Sequence, residues 1–182
     1  GVPNNSSPVP VEASPADRIA AAVTAYGERE TVDRAAALLG GANAGEDFLL
    51  YVGGTHAQGI LDGAPALYWP ELWGARALMY VWHDSAGIAI KAGLTNQAWR
   101  VREMCAKVVY ARELPYASIL LPMLTDEVPR VRAAAARALG KIGDFEHAAS
   151  VKRLLKDPDV EVRRPAGEAL QLIKERFGRP IE

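Results

Sequence analysis

The chain has 182 residues, 49% hydrophobic and 24% charged, with a formal net charge of −1. That length suits one domain with a continuous core, and the near-neutral balance argues against a dedicated nucleic-acid binder. No apolar run reaches the roughly 18 residues of a membrane span, and a single cysteine, Cys105, excludes an internal disulfide framework; no membrane contact and a cytoplasmic location are expected.

Residues 1–13 (GVPNNSSPVPVEA) read as a disordered Pro/Ser/Asn-rich leader with neither the apolar core nor the basic start of a signal peptide. Ser14-Pro15-Ala16-Asp17 reads as a helix start: Ser as N-cap, Pro at the first position and an acid in the first turn. Gly27 stops that helix, and a second is expected from about Thr31 to Gly40-Gly41. Asn43-Ala44-Gly45-Glu46 reads as a capping box that opens a short third helix. The glycines of Gly53-Gly54-Thr55-His56-Ala57-Gln58-Gly59 match neither phosphate-binding spacing, so a helix end followed by a turn is expected there. Residues 60–68 read as an irregular connector, and residues 14–68 together as an N-terminal helical cap region.

From Trp69 onward the sequence repeats. Aligning segments at Leu94, Leu124 and Leu155 superimposes Val101, Val131 and Val162, then Arg102, Arg132 and Arg163, then Cys105, Ala135 and Ala166. The period is about 30 residues, the mark of a solenoid whose units bury their apolar faces only against each other. Second helices are predicted near 70–82, 98–111, 129–142 and 160–176, and first helices near 85–93, 113–124 and 145–155. Residues 69–182 form one continuous repeat domain in this reading, and the whole chain is all-α.

The units DEVPRVRAAAARALGKIG and DPDVEVRRPAGEAL resemble HEAT repeats of the short type found in phycobilin lyases. The resemblance covers about residues 69–176 and implies an α-solenoid of helical hairpins wound as a right-handed superhelix, capped by the N-terminal helices. It also implies a structural ladder of Asp–Arg pairs linking adjacent repeats. Asp126 and Arg132, and Asp157 and Arg163, share a six-residue offset, while Asn96 and Arg102 repeat it with an amide that leaves the first rung open to question.

In such a fold the second helices line a concave face. The helical period then places a row on it: Trp73 and Tyr80; Arg100, Glu103 and Lys107; Arg130 and Arg137; Arg164. The row begins aromatic and becomes basic, in keeping with charge: residues 1–96 carry −5 and residues 97–182 carry +4. Trp73 has no aromatic equivalent in later repeats and is the leading single candidate for partner binding.

No catalytic motif is present, and no cofactor is called for. His56, His83 and His147 lack the spacing of a helical metal site, no Gly-x-Ser-x-Gly elbow exists, and Cys105 fills a small apolar slot. The expected function is non-catalytic binding of a protein partner, as a monomer or weak homodimer. Nucleic acid is the less favoured partner. The enzyme alternative, an alkylpurine DNA glycosylase of HEAT-like fold, would draw on Trp73, Asp84 and Arg100.

Overall fold

A computed structural model describes residues 8–181, which contain ten α-helices and no strand. Of the expected leader, residues 1–7 lie outside the described residues. Residues 8–13 are not a loose tail, because Ala13 N–H donates to the Pro10 carbonyl and Arg18 holds the Ala13 carbonyl at 2.5 Å. The described chain falls into two compact units that divide between Gly93 and Leu94, not at 68/69.

In the first unit, α1 (Pro15–Tyr26) starts as its sequence dictates, with the Ser14 hydroxyl accepting Asp17 N–H at 3.2 Å. Gly27 (φ +87°) ends α1 and at once opens α2 (Glu28–Leu39), so α2 begins earlier than the apolar spacing indicates. The expected capping box before α3 (Glu46–Leu61) does not form. The Asn43 side chain instead accepts Gly45 N–H in a tight turn, and Gly45 takes the cap position with φ +93°.

The α3 helix also passes through the glycines where a helix end was expected. It breaks at Gly54 (φ 59°, ψ −138°) and then resumes to Leu61. Only glycine tolerates that conformation, and a Cβ there would lie 2.7 Å from the Val11 carbonyl oxygen and 2.9 Å from the Arg18 guanidinium. The carbonyls freed by the break are capped by two arginines: Arg18 Nε donates to Tyr51 O at 2.9 Å, and Arg76 Nη2 to Val52 O at 2.8 Å. Cations at a helix C-terminus also oppose its partial negative charge. Helix α4 (Trp69–Ala77) packs on α2, as does α5 (Gly87–Gly93). That packing draws both helices into the first unit and moves the boundary from the expected position.

In the second unit, α6 (Trp99–Arg112), α8 (Pro129–Ile142) and α10 (Val160–Phe177) match the predicted second helices and pack side by side. The short first helices α7 (Ala117–Met123) and α9 (Ala148–Lys152) form the other layer. α7 starts later than expected because α6 ends at Glu113 in the left-handed region and Pro115 follows, which disfavours helix at the residue before it. The aligned positions are the core: Val101, Cys105, Val131, Ala135, Val162 and Ala166 are all fully buried. The second unit is therefore an α-solenoid segment, each helical pair covered by the next.

Three equivalent turns join these hairpins. The side chains of Asn96, Asp126 and Asp157 each accept the backbone N–H two residues on, at 2.8, 2.9 and 2.9 Å. Arg102, Arg132 and Arg163 then each donate Nη1 to the carbonyl of that same turn residue, at 2.9, 2.8 and 2.6 Å. The six-residue offset in the sequence is this arginine-to-carbonyl bond. The rungs between repeats are separate: Arg102 makes a bidentate pair with Asp126 at 2.9 and 3.1 Å, and Arg132 with Asp157 at 2.8 and 3.0 Å. Asn96 keeps its turn because that bond needs only a side-chain carbonyl.

Candidate protein-binding groove

The face shared by α6, α8 and α10 bears a cavity of about 670 Å³. It gathers five members of the expected row: Glu103 and Lys107 from α6, Arg130 and Arg137 from α8, and Arg164 from α10. Each helix brings its residues there because the repeated valine points into the core, leaving positions one before and two after it on the opposite side. Ala133 and Ala134 form a floor between them, with Val160 and Pro165 along one edge.

Not all of these charges are available to a ligand. Glu103 is buried, and both its oxygens are taken by Arg130, Oε2 by Nε at 2.7 Å and Oε1 by Nη2 at 2.8 Å. Those hydrogen bonds, outweighing burial, raise the pKa of Arg130 above its ordinary value. The Arg130 guanidinium also lies 4.9 Å from the centre of the Trp99 ring, and that of Arg100 lies 4.5 Å from it. Lys107 approaches Glu103 only at 3.9 Å. Arg137 and Arg164 are exposed and make no hydrogen bond or ion pair among the described residues. The expectation that Glu103 reads a partner is corrected: it is the buried counter-ion that fixes Arg130.

The aromatic end of the row also needs correction. Trp73 is only 3% exposed, its indole lying on Gly53 and within ring-contact distance of Trp69 and His56. It is core of the first unit and has no face to offer a partner. Its repeat equivalents are a glutamate, an alanine and an arginine, so the period gave no sign of burial; the packing comes from α3, outside the repeats. Tyr80 is half exposed in the first unit, near the charges of Arg18 and Arg76.

The residues weighed for catalysis are also committed elsewhere. Asp84 accepts the Trp82 indole N–H at 3.1 Å. Burial pushes the Cys105 thiol far above its ordinary pKa, which keeps it in the unreactive thiol form. Asp144, Glu146 and His147 bring their ligand atoms within 4.8 Å of one another. However, His147 Nδ1 accepts Asp144 N–H at 2.8 Å, which places the neutral ring's proton on Nε2, the nitrogen facing Glu146. That nitrogen has no lone pair for a metal while the capping bond stands.

The family model for HEAT repeats matches residues 89–171, the stretch that holds both bidentate rungs and all the groove cations. No curated protein gives a significant match to the chain.

Proposed function

We propose that the protein is a non-catalytic HEAT-repeat binding module that holds a protein partner in the groove across α6, α8 and α10. The observation that supports this most is the pair of exposed arginines, Arg137 and Arg164, at a groove where Glu103 is already taken by Arg130. Structural arginines in this chain are consumed by carboxylates or helix ends, as Arg102, Arg132, Arg18 and Arg176 are. Two that are not, on neighbouring helices over an alanine floor, suit a ligand of opposite charge.

Nucleic acid fits less well. Single strands are held by bases stacked on aromatic faces, and no aromatic side chain lines this groove. The rings nearest by sequence are already engaged, Trp99 by two guanidiniums and Tyr110 by the Lys141 ammonium. The phycobilin-lyase subtype suggested by sequence adds nothing to this reading, because the groove's chemistry is ionic and its floor is too small in apolar area for a tetrapyrrole. A reducing compartment such as the cytoplasm suits the lone buried thiol.

The test is affinity capture from cell extract with wild type beside R137E/R164E, with and without nuclease. A protein band kept after nuclease treatment and lost in the variant supports the module. Recovery of nucleic acid alone, or a band indifferent to the substitutions, contradicts it.

A further inference from the structure

We infer that the outer side of α10 docks a helix of a partner protein, one entered through an aspartate-bearing turn whose carboxylate completes a third rung on Arg163. This surface lies beside the groove, and the inference does not depend on what the groove holds.

Repeat equivalence defines the site. Arg102 and Arg132 each give Nη1 to the carbonyl of their own turn, and Nε with Nη2 to the aspartate of the next repeat. Arg163 makes the first of these bonds, to the Asp157 carbonyl, and no other among the described residues, so its Nε–Nη2 edge is open. Its neighbours open in the same way. Leu94 and Leu124 are buried, but the aligned Leu155 is 40% exposed; Ala106 and Ala136 are fully buried, but the aligned Gly167 is only half-buried. On α8 the line Arg132, Ala136, Gly140 is the side that meets α10, where a Cβ on Gly140 would run into Ala169. On α10 the same line is Arg163, Gly167, Gln171, and a Cβ on Gly167 would meet only the Leu155 side chain, at 3.9 Å.

The chemistry of this side then selects its occupant. A repeat that closes a solenoid presents a polar outer face, whereas this one exposes Leu155 and Val160 beside a glycine and a guanidinium. Residues 179–181 do not cover it, because they turn onto Phe145, with the Arg179 guanidinium 3.6 Å from the ring centre, and onto Ala148 and Ala149. A small residue in the middle of a helix face lets a second helix reach packing distance, as α8 and α10 do at Gly140. The open guanidinium edge matches a planar carboxylate through two parallel N–H donors. A second copy of this chain does not supply that group from a repeat turn. Asp126 and Asp157 are already held by Arg102 and Arg132, and the remaining turn carries the amide of Asn96. The helix therefore comes from a different protein, built at its entry as α8 and α10 are.

The experiment uses the full chain and a fluorescein-labelled peptide copying residues 123–143, which carries the Asp126 turn and the alanine-rich α8. A second peptide bears D126N, which keeps the turn, as Asn96 does, and loses the carboxylate. Fluorescence anisotropy is expected to show the aspartate peptide binding roughly tenfold more tightly than the asparagine one. R163Q should bring the two peptides level, and G167W should abolish binding of both by filling the contact. Equal binding of the two peptides to wild type, binding indifferent to G167W, or no binding of either peptide overturns the inference. Sedimentation of the protein alone should give a monomer; a dimer lost in G167W would assign the face to a second copy and overturn the assignment to a partner. Urea unfolding checks each variant. Should R163Q destabilise the fold by losing its bond to the Asp157 carbonyl, G167W carries the test, since its site has open space around it.

Discussion

At the scale of single residues, the arginines divide by what they donate to. Arg132 spans two repeats, giving one edge to Asp157 and the remaining nitrogen to the Asp126 carbonyl. Its side chain is 13% exposed and that of Asp157 is 4%, so removing one partner strands a nearly buried charge. Arg132→Ala is expected to cost about 3 kcal/mol in urea unfolding, whereas Arg137→Ala should leave the curve nearly unmoved. The same rung sets an acid limit. Burial raises the Asp157 pKa, but the Arg132 hydrogen bonds, the Asp159 N–H and the charges of Arg132 and Arg163 outweigh it, leaving the group below its usual value. A carboxyl depressed by folding stabilises fully above its unfolded pKa and loses that contribution as pH falls through the folded one. Stability should therefore drop below about pH 4, and more steeply in wild type than in Asp157→Asn. Trp73 is the opposite lesson. Trp73→Ala should cost about 3–5 kcal/mol, the range for emptying a buried aromatic site; an unchanged melting temperature would restore it as a surface residue.

Among the elements, those governed by local chemistry were legible and those governed by distant contacts were not. The three second helices of the second unit and the start of α1 follow from period, proline and capping residues in their own segments. The continuation of α3 past Gly54 could not be read that way, since it depends on arginines 36 residues before and 22 after the break. The ladder lay between these cases. The aligned Asp and Arg positions were visible, but sequence offers no way to tell the arginine-to-carbonyl bond inside a repeat from the carboxylate pair between repeats. Gly140 marks how tightly elements meet: a Cβ there would lie 2.6 Å from the Ala169 Cα, where α8 crosses α10. Backbone cannot yield as a flexible side chain can, so Gly140→Val should force the helices apart and cost about 1–3 kcal/mol by calorimetry. An unaltered transition would mean that α8 and α10 meet less closely.

For the whole molecule, charge follows the division of labour within the chain. The first unit is acidic and closes around Trp73, Phe48 and the broken α3. The second is basic and repeated, and the groove cations belong to it. Two sets of arginines in that second unit divide the work under the proposed function, one holding repeats together and the other holding a partner. The most direct measurement sets R132A beside R137E/R164E and records urea unfolding and partner capture for both. R132A should lower the unfolding midpoint and, under native conditions, still capture the partner; R137E/R164E should unfold with wild type and capture nothing. A groove variant that unfolds early, or that binds as wild type does, would contradict the account.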